Sequence, residues 1–157
     1  MTLAAVSAHA QVERLGVFRD WEAYQVADPK ARECFVHSVP LESKGKYTRR
    51  GEVHAQISHR PGDGVRDELS ITAGYTYRKG GEVEVEIDGR KFKLFVHEDR
   101  AYAADAATDR QLTRQMKRGR KMVVRGISSR GTRTTDVFSL QGFSAAYSAI
   151  DQACPQG

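Results

Sequence analysis

Glu82-Val-Glu-Val-Glu-Ile87, Asp88-Gly89 and Arg90-Lys-Phe-Lys-Leu-Phe-Val96 follow one another without a break. Acidic and apolar residues alternate on the way in, basic and apolar residues on the way out. A period of two places successive side chains on opposite faces of a strand. Asp-Gly between such runs suits a two-residue type I′ turn, whose two central residues both need positive φ. That turn sets the register of a hairpin over 82–97. Glu86 then faces Lys91 and Glu84 faces Lys93 on a wet face, while Val85 faces Phe92 and Val83 faces Leu94 on a core face.

Outward from this hairpin the same alternation and β-propensity recur. Trp21 to Val26, Glu33 to Val39, Val53 to His59 and Glu68 to Ala73 read as strands. Pro29, Pro40 and Pro61-Gly-Asp-Gly64 punctuate them. Lys121 to Ser128 and Thr132 to Leu140 form a second hairpin. Two segments have helical periodicity instead. Thr108-Asp-Arg-Gln111 is a capping-box pattern that opens a helix to about Arg118, with Leu112 and Met116 on its inner face. Phe143, Ala146, Tyr147, Ile150 and Cys154 make an apolar stripe along a C-terminal helix. About eight short strands with local hairpins and two helices predict a mainly β chain. The expected fold is a single antiparallel sandwich-like or barrel-like domain over residues 11–157.

The 157 residues are 39% hydrophobic and 29% charged, which fits one globular domain and excludes a disordered chain. No run approaches the ~20 apolar residues of a membrane-spanning helix. Leu3 to Val6 followed by Ser7-Ala8-His9-Ala10 has small residues where signal peptidase requires them. Residues 1–10 are therefore expected to be the remnant of a signal peptide that starts upstream. Export makes the two cysteines, Cys34 and Cys154, a disulfide pair, because exported proteins fold where thiols are oxidised. The bond would staple the terminal helix to the strand that carries Cys34.

Catalytic patterns are absent. His54 and His59 lie five apart in one predicted strand and so face opposite ways; no Gly-x-Ser-x-Gly occurs, and Gly62-Asp-Gly64 lacks the lysine of a phosphate loop. A hydrolase built from His54 or His59 with Asp63 is the alternative to a non-enzymatic protein. No cofactor and no metal is expected. The net charge of +5 points to anionic partners. Lys117, Arg118, Arg120 and Lys121 crowd a helix-to-strand junction, with Arg125, Arg130 and Arg133 beyond. Lys44, Lys46, Arg49 and Arg50 surround Tyr47 in an expected loop. The expected function is a non-enzymatic binding or interaction module whose partner is an envelope protein or an anionic envelope component, with Arg118, Arg120, Lys121 and Arg130 as the candidate anion-binding or partner-binding residues. Nucleic acid is excluded as a partner by the lack of interleaved aromatic residues and by export.

Several local signatures coincide in order and spacing with a known family. They are Phe18-Arg-Asp-Trp21-Glu-Ala-Tyr24, Glu33-Cys-Phe35, Ser58-His-Arg-Pro-Gly-Asp-Gly-Val-Arg-Asp-Glu-Leu-Ser70, Gly74-Tyr75, Val123-Val-Arg-Gly-Ile-Ser-Ser-Arg-Gly-Thr-Arg-Thr-Thr-Asp136 and Ser139-Leu140-Gln-Gly142-Phe. From about residue 15 to Cys154 the chain resembles the invasion-associated locus B family of small exported proteins of Gram-negative bacteria. The resemblance implies a periplasmic or other envelope location, at the outer membrane or secreted. It implies a role in host-cell invasion or envelope maintenance, and no enzyme activity.

Overall fold

The computed structural model describes residues 11–28 and 31–156; residues 1–10, expected to be a signal-peptide remnant, and Pro29 lie outside them. Among the described residues, eleven strands form one antiparallel sheet, with two α-helices. The strands are β1 (Gln11–Phe18), β2 (Trp21–Ala27), β3 (Glu33–Ser38), β4 (Glu42–Gly45), β5 (His54–Arg60), β6 (Val65–Thr72), β7 (Glu82–Ile87), β8 (Arg90–His97), β9 (Arg100–Tyr102), β10 (Lys121–Ile127) and β11 (Arg133–Ser139). The helices are α1 (Ala106–Arg118) and α2 (Phe143–Ala153). The strand order is β1-β2-β3-β5-β6-β9-β8-β7-β10-β11-β4.

That order forces the sheet to roll. β3 and β4 stand eight steps apart in the order, which would be ~38 Å in a flat sheet with ~4.8 Å between strands. Residues 39–41 join Ser38 to Glu42, and four extended steps reach only ~14 Å. The short connection is possible because the sheet curls until its two halves meet. Leu41 N–H donates to the Val137 carbonyl at 2.8 Å, and the buried Trp21 indole Nε1–H donates to the Ser139 carbonyl at 2.8 Å.

The central hairpin has the expected register throughout: Glu86 opposite Lys91, Val85 opposite Phe92, Glu84 opposite Lys93 and Val83 opposite Leu94. Asp88 and Gly89 both have positive φ, 47° and 89°. The ion pairs are shifted by one step. Lys93 reaches Glu82 at 3.4 Å and Lys91 reaches Glu84 at 4.0 Å, because Arg125 on β10 takes Glu84 at 2.9 Å and Glu86 at 3.4 Å. Arginine's planar fork satisfies two carboxylates where lysine offers one point charge.

Three strands escaped the sequence reading. β1, β4 and β9 lack a clean alternation over a strand-length window, and pairing to their neighbours rather than intrinsic pattern makes them strands. Helix α1 also starts earlier than the capping box suggested. Asp105 is the N-cap, extended at φ −152°, and its carboxylate accepts from Thr108 N–H at 2.7 Å. A charged acceptor at this position serves the helix end better than the Thr108 hydroxyl would.

Inward-facing Trp21, Val36, Ile57, Leu69, Val85, Met122 and Phe138 build the core. Leu112 and Met116 bury the inner face of α1, which packs on β6. The stripe of α2 packs on β1, β2 and β3, with Phe143 edge-on to Trp21 at 5.1 Å. Cys34 and Cys154 are disulfide-bonded and wholly buried, fixing the end of α2 to β3.

Candidate functional site

Between β4 and β5 the chain crosses the end of the sheet where β6 finishes. There Arg50 folds inward against β11. Its Nη1 and Nη2 donate to the two carboxylate oxygens of Asp136 at 2.7 and 2.6 Å, and its Nε donates to the Ala73 carbonyl at 2.8 Å. The two side chains are only 4% and 3% exposed. Burial opposes the Arg50 charge, but the hydrogen-bonded Asp136 carboxylate outweighs it and holds the guanidinium above its ordinary range. The same guanidinium lies 5.3 Å from the centre of the Tyr47 ring and 5.0 Å from that of Tyr75. Tyr75 is held in turn by a 2.6 Å hydrogen bond between its hydroxyl and that of Thr134, and burial pushes its phenol up.

Backbone contact completes the floor. Gly51 N–H donates to the Gly74 carbonyl at 2.8 Å, and Gly74 has φ +76°. A Cβ on Gly74 would stand 2.4 Å from the Gly51 carbonyl oxygen, so both the conformation and the approach require glycine.

Above this floor opens a cleft of about 440 Å³ between the 46–51 loop, residues 74–76 and the β10–β11 turn. Lys46, Arg49 and Arg130 stand on its rim, all exposed. None of the three has a carboxylate within ion-pair distance among the described residues. Thr48, Thr76 and Ser129 line the same cleft, and their hydroxyls make no hydrogen bond to another described residue. Across the Gly51–Gly74 contact lies a shallower hollow of opposite character, lined by Glu52, Glu98 and Asp99 beside His54. Burial, then the neighbouring His37 and Arg100, lower the pKa of His54, so it is neutral there. Another hollow, lined by Glu82, Glu84, Lys93 and Arg125, is already neutralised by the ion pairs of the hairpin face.

The candidate cations fall into two groups. Arg118, Arg120 and Lys121 stay together at the α1–β10 junction, where Arg120 N–H donates to the Asp88 carboxylate at 3.1 Å. Arg130 lies past the far end of β10; the strand alone spans ~20 Å. The fold joins Arg130 instead to Lys46 and Arg49. Lys44 is drawn into β4 and pairs with Glu42 at 3.3 Å, and Arg50 is buried. Sequence reasoning missed the role of Tyr75 and the pairing of Arg50 with Asp136, both long-range contacts without a local signature.

The histidine and carboxylate of the hydrolase alternative do not converge. His54 and His59 face opposite sides of β5, and Asp63, in the turn after β5, pairs with Arg60 at 3.7 Å. His59 is fully buried beneath α2. Its Nδ1 accepts from Asp67 N–H at 3.1 Å, and Asp67 in turn accepts from the Tyr147 hydroxyl at 2.5 Å. Burial, reinforced by Arg66, lowers the His59 pKa and keeps it neutral, which suits an accepting Nδ1. Its Nε2 has no hydrogen-bond partner among the described residues; the nearest carboxylate oxygen there, on Asp151, is 3.7 Å away. With the imidazole sealed, this cluster ties α2 to β5 and β6. Among the described residues no group of three or more His, Cys, Asp or Glu side chains is placed to hold a metal ion.

The fold and cleft together define a small disulfide-closed, rolled β domain with an arginine–tyrosine site at one end. The model of the family described as Invasion associated locus B (IalB) protein matches residues 21–151, and the chain belongs to that family. No curated protein and no solved structure matches the chain. No described helix is long and apolar enough to cross a membrane.

Proposed function

We propose that the protein is a non-enzymatic binding module of the bacterial envelope, exported to the periplasm, that recognises an anionic envelope component through its cationic cleft. The observation that carries this reading is the rim of Lys46, Arg49 and Arg130. Three cations without carboxylate partners among the described residues stand over the buried, doubly hydrogen-bonded Arg50–Asp136 pair. Clustered charge costs repulsion unless something neutralises it, and a fixed floor means a ligand meets a formed site. Family membership and the buried Cys34–Cys154 bond support an exported protein. Binding of this kind serves envelope maintenance as readily as the invasion after which the family is named.

Retention on the envelope fraction tests the reading. The triple reversal Lys46→Glu, Arg49→Glu, Arg130→Glu is expected to release the protein with its melting temperature unchanged. Reversal of Arg118, Arg120 and Lys121 provides the matched comparison: the junction patch is the binding surface if it alone releases the protein. Retention unaffected by both sets refutes an electrostatic envelope contact. Intact mass with and without reduction tests export, through a chain that begins at Gln11 and takes up alkyl groups only once reduced.

A further inference from the structure

We infer that the ligand of the cleft is an anionic saccharide, a sugar ring bearing a phosphate or a carboxylate. The inference rests on the proposed envelope-binding function and names its ligand class. Three features of the cleft point the same way.

First, its charge is local. The cations stand on one side, whereas Glu52, Glu98 and Asp99 line the hollow just across Gly51 and Gly74. A long polyanion laid along this end would meet those carboxylates, and like charges repel. A compact ligand with one anionic group and a neutral body avoids them. Second, the cleft offers a ring to stack on. Tyr47 remains 36% exposed and is positioned by the buried guanidinium of Arg50, so its orientation does not have to be acquired on binding. Third, the remaining polar groups are neutral. The hydroxyls of Thr48, Thr76 and Ser129 make no hydrogen bond to another described residue and can both donate and accept, which matches the hydroxyls of a sugar. A cleft of about 440 Å³ with a few polar groups and an aromatic wall has the dimensions of a small-ligand site.

The test is calorimetric titration of the full chain with glucose 6-phosphate, glucuronate, glucose and inorganic phosphate. At least one charged sugar should bind ten-fold or more tighter than both glucose and phosphate. The preferred charged sugar distinguishes a phosphate-bearing from a carboxylate-bearing ligand. Tyr47→Ala should weaken that sugar about ten-fold and leave inorganic phosphate unchanged, while Tyr47→Trp, which keeps a stacking ring, should retain it. Arg49→Glu with Arg130→Glu should abolish binding at an unchanged melting temperature. Phosphate that binds as well as the tighter-binding charged sugar, or binding of that sugar indifferent to Tyr47→Ala, overturns the inference. If no sugar binds but the rim reversals still release the protein from the envelope, the saccharide inference fails and the envelope-binding reading stands. If retention is also unaffected, both fail.

Discussion

The two ends of β5 and β6 solve the same problem differently. At the His59 end, polar groups are buried under α2 and closed over by the Cys34–Cys154 bond. At the Arg50 end, the buried charge pair lies beneath an open cleft, whose rim cations have no carboxylate partner among the described residues. Buried polar groups must find partners in either setting. What differs is the cover. One end is sealed by a helix and a covalent bond; the other is supported from below by the buried pair and stays open.

The sharpest test of the sealed end is removal of the disulfide. It closes a loop of 120 residues, and the chain-entropy argument gives ~5 kcal/mol for a loop of that length. Cys34→Ser with Cys154→Ser should lower the melting temperature by more than any single substitution at the open end, and the terminal helix should exchange its amides first. An equal loss at both ends would dissolve the contrast.

Next in size is the buried pair of the open end. Arg50→Ala strands Asp136 and should cost about 3–5 kcal/mol in chemical denaturation. Replacing both, with Arg50→Met and Asp136→Leu, should recover most of that loss. Binding of the ligand proposed for the cleft should still be lost, since Tyr47 no longer has a guanidinium against its ring.

Smaller effects come from two buried groups that titrate in opposite senses. His59 has a folded pKa below its ordinary 6.5, so its contribution is full above about pH 6.5 and is lost as the pH falls toward the folded value. Asp109 behaves in reverse. Burial pushes its carboxyl up to about 7, only partly offset by the Leu69 N–H that donates to it at 3.1 Å. The folded chain keeps this proton between pH 3.8 and 7 where the unfolded chain releases it, so stability falls across that range as the pH rises. Asp109→Asn keeps the acceptor and removes the charge. It should stabilise the protein by a few kcal/mol at pH 8 and by much less at pH 4, measured by denaturant titration at both.

The smallest effect belongs to the hairpin face. Arg125→Ala leaves Glu84 and Glu86 exposed to water and should cost ~1 kcal/mol or less. The loss should shrink further in high salt.

Much of the fold was legible because its strongest signals are local. The Asp88-Gly89 turn fixes the pairing of β7 with β8 to the residue, and the stripe through Phe143, Ala146, Tyr147 and Ile150 places α2 and its buried face. β4 was illegible for the opposite reason. Glu42-Ser-Lys-Gly45 carries no apolar period, and it becomes a strand only because β11 offers it an edge. The candidate site divides along the same line. Arg130 and the Lys46–Arg49 segment stand out as charge clusters, but their meeting depends on the roll of the sheet.

By itself the sequence determined what depends on neighbours along the chain: a mainly β composition, the central hairpin and its register, two amphipathic helices, and cysteines able to close a disulfide. Turn geometry and side-chain periodicity act over a few residues, so they can be read in order. The tertiary structure alone decided which cations face a common space, which arginine is buried, and which histidine is sealed. Those outcomes follow from the rolling of an eleven-stranded sheet, which brings Arg50 to Asp136 and sets Tyr47 and Tyr75 against the same guanidinium. Contacts made by closure depend on the whole strand order, and no short window of residues carries that order.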